Sequence, residues 1–201
     1  MKYSILLATL LASLSVQAAD PLAVPEKTNF AHIQYTLRDT VAGQAGETNR
    51  QGVNFTVGHN FNKNLQIDLG QQFRTGKFNE DNNGGTSSNR LEAGATYSYD
   101  LLPSVSLYTR GAIGYKLTDN QDFGYYSVEP GVRATVMKNL TARVGYRYRD
   151  SFSQAYFDKT NTVRVALQYD LNKESFLSAG LDRAYGDSEF IGLNLGYGVK
   201  F

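Results

Sequence analysis

The chain has 201 residues, no cysteine, no tryptophan and a formal net charge of +1. This length suits one domain, and the lack of cysteine excludes a disulfide framework, a thiolate metal site and a cysteine nucleophile. Two histidines, His32 and His59, are too few for an imidazole-rich zinc site. A mean hydropathy of −0.38 argues against a bundle of membrane-spanning helices but not against a membrane barrel, in which only alternate residues are apolar.

The first 18 residues have the pattern of a cleaved secretory signal peptide. Lys2 precedes the apolar stretch Ile5–Leu14, and Ser15–Ala18 supplies the residues of a cleavage site. This apolar stretch is too short to span a bilayer as a helix. We therefore predict a signal peptide over residues 1–18, a periplasmic N-terminal extension over 19–28 and one barrel domain over 29–201. A buried N-terminal helix is the alternative for the first segment.

From Asn29 onward the sequence predicts ten strands. Apolar or aromatic residues occupy every second position, and a turn or polar loop separates each run from the next. In chain order the runs are Ala31–Leu37, Val53–Val57, Leu65–Phe73, Leu91–Tyr99, Val105–Leu117, Tyr126–Val136, Leu140–Tyr148, Val163–Tyr169, Leu177–Leu181 and Ile191–Phe201. A side-chain period of two over such segments indicates strands rather than helices.

The connections between these strands are predicted to alternate strictly between short turns and longer polar loops. The short ones are residues 60–64, 100–104, 137–139 and 170–174, and the longer ones are 39–49, 75–88, 118–122, 150–159 and 186–189. A transmembrane barrel has short periplasmic turns, longer outer loops and an even strand count. We therefore predict an all-β fold, a transmembrane antiparallel up-and-down β-barrel of about ten strands in the outer membrane of a Gram-negative cell.

Tyrosines at the ends of the apolar runs favour a membrane barrel over a soluble β-protein. They are Tyr35, Tyr97, Tyr99, Tyr115, Tyr126, Tyr148, Tyr169 and Tyr197. Aromatic girdles occupy such positions at the two membrane interfaces. A soluble β-sandwich or lipocalin-like barrel would instead bury the apolar face and its tyrosines in a core.

Pro130 falls within the sixth predicted strand. Proline cannot donate to a strand ladder, and a closed barrel has no free edge to accommodate it. The sequence therefore predicts a bulge over Glu129–Gly131, or a different register in this strand.

The last predicted strand ends on an aromatic residue. Leu195, Tyr197, Val199 and Phe201 share one face of this strand, and this pattern resembles the C-terminal signal recognised by the barrel assembly machinery. We therefore predict these four residues to be the assembly signal. The other predicted partners are outer-membrane lipid and lipopolysaccharide around the wall.

Charge is predicted to be sorted between the lumen and the outer loops. The lumen face carries an excess of +8 and the outer loops, Asp158 among them, carry −8. The basic lumen residues are Arg38, Arg50, Arg74, Arg90, Arg110, Lys116, Arg133, Arg143, Arg147, Arg149, Arg164 and Lys200, and the acidic ones are Asp68, Glu92, Glu129 and Asp182.

Two interpretations of this basic lumen stay open. Uncompensated charges in a narrow wall are costly unless they are paired, hydrated or occupied by anions, and rings of Arg and Lys line anion pores. The first interpretation is a water-filled passage for small anionic solutes, and the second is an interior plugged by a salt-bridge network. The predicted solute-binding residues are Arg38, Arg74, Arg90, Arg110, Arg133, Arg143, Arg147, Arg149 and Arg164.

Parts of the chain resemble the oligogalacturonate-specific porin family, which includes the sialic-acid porin. The segments NLTARVGYRYRD (residues 139–150) and TVRVALQYD (residues 162–170) are similar to its late strands, as is the Pro-Gly segment Tyr126–Val132. The resemblance implies a monomeric small porin that passes acidic sugars. It implies solute contacts from Arg143, Arg147, Arg149 and Arg164. More broadly, the whole mature chain resembles small Gram-negative outer-membrane barrels.

Catalysis has little support in the sequence. Outer-membrane enzymes need a base beside a nucleophile or an activated water. His32 is predicted to point into the lumen and His59 to lie near a periplasmic turn, and neither has an obvious triad. We therefore predict no enzymatic activity, no cofactor and no metal site.

Three other functions are less favoured. The segment Asn79–Gly85 has oxygen ligands for calcium, but its carboxylates are adjacent and a solvated loop is the preferred interpretation. Nucleic acid is disfavoured by the neutral mature charge and the acidic outer loops. A structural or adhesive barrel is an alternative, although the outer loops are short and acidic rather than apolar or repetitive.

Overall fold

The protein is described by a computed structural model over residues 29–40, 50–77, 85–118, 121–156 and 158–201. Its strands are β1 (Asn29–Thr40), β2 (Arg50–Asn60), β3 (Leu65–Lys77), β4 (Gly85–Leu102), β5 (Val105–Thr118), β6 (Asp122–Met137), β7 (Leu140–Ser151), β8 (Thr160–Asp170), β9 (Ser175–Gly186) and β10 (Phe190–Lys200). The described ranges contain no helix that is both long and apolar enough to cross a membrane. The predicted signal peptide and the extension over 19–28 lie outside them.

The ten strands form one closed antiparallel barrel. Each strand pairs with its neighbours in the chain, and β1 pairs with β10 to complete the ring. Closure leaves no free strand edge, so the backbone donors and acceptors of the wall are satisfied within the sheet. A tilted strand needs about nine to eleven residues to cross a bilayer, and these strands have 11 to 18. The predicted ten-stranded antiparallel barrel is confirmed.

Side-chain exposure follows the predicted alternation. On β1, Ile33 and Leu37 are 50% and 45% exposed on the outside, whereas Thr36 between them is 1% exposed on the inside. Tyr97 and Tyr99 of β4 also point outward. The apolar face therefore forms the outer surface and the polar face lines the interior, the reverse of a soluble protein, as a wall in contact with lipid requires.

The two ends of the barrel differ in their connections. Residues 61–64, 103–104, 138–139 and 171–174 connect strands at what we call the turn end, and residues 41–49, 78–84, 119–121, 152–159 and 187–189 connect them at the loop end. The predicted strict alternation in length fails at 187–189, because this connection has three residues and the turn before it, 171–174, has four. The connection 119–121 also has three residues and exceeds each of its two neighbouring turns by one. In both connections the strands continue their pairing into residues that the apolar pattern alone assigned to a loop.

Pro130 lies in β6 without a bulge. The residues on either side of it, Val128 and Gly131, keep one register with β7. The predicted bulge over Glu129–Gly131 is therefore wrong, and the register shift between β6 and β7 lies at the turn end, within residues 135–137. Proline only removes one backbone donor, and the β6–β7 ladder skips Glu129 and Pro130 without inserting an extra residue.

Candidate functional site

A cavity of about 510 Å³ lies inside the barrel. Its lining extends from Asn60 and Lys200 near the turn end to Arg38 and Arg149 near the loop end. All nine predicted solute-binding residues line it, namely Arg38, Arg74, Arg90, Arg110, Arg133, Arg143, Arg147, Arg149 and Arg164. The closed topology thus brings arginines from seven strands to one internal space.

The middle of the lumen contains a network that we call the ion-pair belt. It consists of Asp68, Glu92, Glu129, Asp182, Arg110, Arg147 and Arg164. Arg110 joins two carboxylates, with Nη1 at 2.7 Å from Glu92 Oε1 and Nε at 3.2 Å from Asp68 Oδ2. Arg147 Nη2 donates to the other oxygen of Glu92. One glutamate therefore compensates two guanidinium groups from different strands.

The second half of the belt is built around Arg164. Its Nη1 lies 2.8 Å from Glu129 Oε2, and its Nε lies 3.3 Å from Asp182 Oδ1. Two tyrosines complete the network, since the Tyr108 hydroxyl donates to Glu129 at 2.9 Å and the Tyr125 hydroxyl donates to Glu92 at 2.8 Å. All four belt carboxylates thus have an arginine partner, as buried carboxylates require.

Glycines in the wall make room for these tyrosines. A Cβ at Gly131 would stand 2.5 Å from Tyr108 Cζ, and a Cβ at Gly114 would overlap the ring of Tyr125. The sequence pattern did not predict four inward-facing aromatic residues, because they are apolar residues on the strand face that is otherwise polar. They are Tyr125, Phe123, Phe176 and Phe190. Their positions in the two-residue register are the signal that identifies them.

The β7–β8 connection adds a fifth carboxylate to the lumen. Asp158 is 1% exposed and accepts from Arg149 Nε at 2.7 Å and from Lys116 Nζ at 3.4 Å. Next to it, Tyr156 stacks on Phe123 with 5.1 Å between ring centroids. Burial alone would raise the pKa of the Asp158 carboxyl, but the two cations outweigh burial and hold this pKa below its usual value. Asp158 lies in a loop-end connection, but its carboxylate points into the lumen, so its predicted contribution to the negative charge of the outer loops is wrong.

Three arginines near the loop end, Arg38, Arg74 and Arg90, have a different environment, and we call them the mouth cluster. None of them forms an ion pair with a carboxylate of the described residues. The Nε atom of each is buried without a hydrogen-bond partner. Arg38 stacks on Phe190 at 3.8 Å and Arg90 on Tyr125 at 5.1 Å. Such cation–π contacts only partly replace a counterion.

A second pair of uncompensated arginines lies near the turn end. Arg133 of β6 and Arg143 of β7 are directly opposite each other in the ladder, and like charges in this position destabilise a sheet. Arg143 stacks on Tyr108 at 4.9 Å, and Arg133 Nη2 lies 3.4 Å from Ser98 Oγ. Within the described ranges neither arginine forms an ion pair. The excess positive charge of the lumen therefore lies at its two ends.

The two histidines lie apart from this arrangement. His32 points into the lumen, where its Nε2 is 2.8 Å from Ser178 Oγ, and no described carboxylate pairs with its ring. His59 Nδ1 is 2.8 Å from Asn29 Oδ1 near the turn end. In the part of the chain that the structure describes, no three His, Cys, Asp or Glu residues are grouped to hold a metal ion. The segment Asn79–Gly85, which is predicted to be a solvated loop rather than a calcium site, lies outside this part apart from Gly85.

The predicted assembly residues lie on the outer surface of β10 and at Phe201, which directly follows it. Leu195, Tyr197, Val199 and Phe201 are all exposed and point away from the lumen. Their strand pairs with β1 and closes the barrel. Their recognition by the assembly machinery stays a prediction.

The fold is shared with known outer-membrane proteins. Residues 4–201 match the family described as Outer membrane protein beta-barrel domain. No curated protein matches the sequence. The translocator domain of autotransporter NalP from Neisseria meningitidis is similar in structure, with a TM-score of 0.54 and 9% identity over 99% of this chain and 96% of that one.

Two further structures are similar to this chain. The beta domain of the Bordetella autotransporter BrkA has a TM-score of 0.50 and 12% identity over 87% of this chain and 99% of that one. The KdgM porin in complex with disordered oligogalacturonate has a TM-score of 0.45 and 14% identity over 87% and 98%. The family match covers nearly the whole chain, and the barrel has the apolar outer face that lipid requires. The chain therefore belongs to the outer membrane protein β-barrel domain family and lies in the outer membrane.

Proposed function

We propose that the barrel is a passage for small anionic solutes across the outer membrane, with acidic sugars as the main class. The observation that carries this proposal is the cavity inside the barrel, lined by nine arginines from seven strands. A basic lining attracts anions and repels cations, because low-dielectric walls focus the field of the charges inside them.

The distribution of compensated charge supports an entry site at each end of this passage. The belt pairs Arg110, Arg147 and Arg164 with four carboxylates, so the middle of the lumen has little net charge of its own. The mouth cluster and the pair Arg133 and Arg143 are left as the excess. An anion would therefore meet positive charge first at either end.

Acidic sugars are proposed because of the residues that resemble the oligogalacturonate-specific porins. These are the segments 139–150 and 162–170, which contribute Arg143, Arg147, Arg149 and Arg164 to the cavity lining. We propose the barrel to act as a monomer surrounded by lipid and lipopolysaccharide, and we propose no catalytic role for it.

Ion selectivity in a planar bilayer tests the proposal. Across a KCl gradient, the reversal potential is expected to have the sign of an anion-selective pore. Serine at Arg143, Arg147 and Arg149 should shift it toward zero, and serine at Arg133 and Arg143 should do so without breaking an ion pair. Arg183→Ser is the matched control, since Arg183 stacks on Tyr185 outside the lumen. Cation preference would contradict the proposal, as would unchanged selectivity in both lumen variants.

Solute class is tested by uptake into proteoliposomes. Galacturonate is expected to enter faster than galactose, which has a similar size and no charge. Equal rates for the two sugars would remove the acidic-sugar assignment even if chloride selectivity were observed.

A second candidate is a structural or adhesive barrel with a closed interior. The observation that favours it is the belt itself, because Glu92 of β4 binds Arg110 of the neighbouring β5 and also Arg147 of β7, which lies three strands away in the ring. A folded, membrane-inserted barrel that gives no conductance in the bilayer experiment would support this candidate and reject the passage.

A further inference from the structure

We infer that the mouth cluster is a binding site for a compact, doubly charged oxyanion of the sulfate or hydrogen phosphate type. The site lies on the proposed route of the solute. Because it names the charge class of that solute, the inference rests on the proposed function. It can be tested by equilibrium binding, which does not depend on conductance.

Two of the three arginines are neighbours in the wall. Arg74 and Arg90 are diagonal neighbours on β3 and β4, because Arg90 pairs with Gln72. Diagonal neighbours on one face are about 7 to 8 Å apart, within reach of long side chains. Both side chains are only 8% exposed. Two buried guanidinium groups therefore share one corner of the lumen.

A glycine in β2 determines how closely Arg74 approaches β1, the strand of Arg38. Gly52 of β2 lies between Arg74 and β1, since it pairs with Arg74 on one side and with Thr36 on the other. The Arg74 side chain lies over this glycine, with Cγ 2.7 Å from where a Cβ would stand. Arg74 thus leans across β2 toward β1, the strand that carries Arg38.

Among the residues that the structure describes, no carboxylate forms an ion pair with any of the three arginines. The Nε atoms of all three arginines are buried without a hydrogen-bond partner. Asp182 lies at the same level of the ladder as Arg38, since both pair with Gly192, but Asp182 is already bound by Arg164 Nε at 3.3 Å. The carboxylate of Asp158 likewise accepts from Arg149 and Lys116. Buried cations in this state need an anion or water to replace the missing partner.

The charge and shape of the cluster select the ligand class. Three monovalent cations favour a divalent over a monovalent anion, and the planar fork of each guanidinium matches a tetrahedral oxyanion with paired N–H donors. The cation–π contacts of Arg38 and Arg90 hold their planes in place before a ligand arrives. The site therefore favours an oxyanion over a halide of equal concentration.

The test measures sulfate binding by thermal unfolding of the refolded barrel in a maltoside micelle, which contains no phosphate headgroup. Sulfate should raise the unfolding temperature with a saturable concentration dependence, relative to chloride at equal ionic strength, because it binds the folded state. Replacing Arg74 and Arg90 together by glutamine should weaken the sulfate affinity by at least about tenfold, since two charge-assisted partners are lost.

Three further measurements keep the result interpretable. Arg74→Lys should give an intermediate affinity, because it keeps the charge but not the fork. Arg183→Gln should bind sulfate like the unaltered barrel, since this arginine lies outside the lumen. Strand content by circular dichroism shows that each variant is folded. The rise in unfolding temperature that sulfate still causes in the double variant measures its general stabilising effect, which is subtracted from the rise in the unaltered barrel.

A sulfate effect no larger than that of chloride would overturn the inference, as would an equal effect in the double variant. The proposed passage fails on a different result. If the barrel binds sulfate but does not conduct anions, the sulfate site is supported and the passage is rejected. If it conducts anions but does not bind sulfate saturably, the passage is supported and the sulfate site is rejected.

Discussion

The ion-pair belt and the mouth cluster use the same residue type in two opposite electrostatic states. Arg110 in the belt lies between two carboxylates, at 2.7 Å from Glu92 and 3.2 Å from Asp68. Arg74 in the mouth cluster is more deeply buried, yet its Nε has no partner. Both residues were predicted to bind solute on the same grounds. The structure shows that inward direction and positive charge do not by themselves identify a free binding group.

This difference has a physical basis in the strand ladder. A carboxylate compensates an arginine only if the register brings the two to one level of the lumen. Three of the four belt acids, Glu92, Glu129 and Asp182, lie near the middle of their strands. At the loop end the register places arginines beside one another, as Arg74 and Arg90 are diagonal neighbours on β3 and β4. The belt therefore contributes to stability, whereas the mouth cluster costs stability and is available to a ligand.

The largest expected effect is the loss of a belt carboxylate. Glu92→Gln removes the charge that compensates Arg110 and Arg147, so it should lower the free energy of unfolding by about 3 kcal/mol. Urea unfolding in lipid vesicles measures this change. Glu189→Gln, in a loop-end connection, is the control. Equal stability of the two variants would show that the belt is hydrated and that its pairs contribute little.

An intermediate effect is expected at Asp158, where a loop carboxylate compensates two lumen cations. Asp158→Asn should cost about 2 kcal/mol at neutral pH, because the charged hydrogen bonds from Arg149 and Lys116 are lost. It should also make Phe152 and Tyr156 more accessible to chymotrypsin, since the loop is no longer anchored. Unchanged digestion would mean that the Tyr156 stack on Phe123 is sufficient to hold the loop.

The pH dependence of this contribution has a defined sign. The pKa of Asp158 is lowered in the folded protein from the ordinary value of 3.8. Its stabilising contribution is therefore fully present above pH 3.8 and is lost as the pH falls through the lower folded pKa. The difference in unfolding free energy between the unaltered barrel and Asp158→Asn should shrink over this range. A difference that stays constant on acidification would contradict the ion pairing.

The smallest expected effect has the opposite sign. Arg74→Gln should raise the free energy of unfolding by about 1 kcal/mol at low salt and without divalent anions, because it removes repulsion from Arg38 and Arg90. Arg110→Gln, measured in the same way, should instead destabilise the barrel, since it leaves Asp68 without its partner. If both substitutions destabilise equally, the contrast between belt and mouth cluster is wrong.

Local pattern was sufficient to predict the wall of the barrel. A two-residue period fixes which side chains face lipid, and in a strand it needs no knowledge of the neighbours. Thus Ile33 and Leu37 were placed outside and Thr36 inside, the strand count was correct, and all nine lumen arginines were placed on the inner face. Even so, the pattern misjudged Pro130, because whether a missing donor causes a bulge depends on the partner strand.

Only the tertiary structure decided how the interior charges are shared. Glu92 meets Arg110 and Arg147 from positions 18 and 55 residues away, and Asp158 enters the lumen from a connection that its sequence presents as a polar loop. Pairing of this kind depends on closure and register around the whole ring, which no single strand contains. The sequence by itself therefore determined a barrel with a basic interior, and closure of the ring decided which arginines are compensated and which are left for an anion.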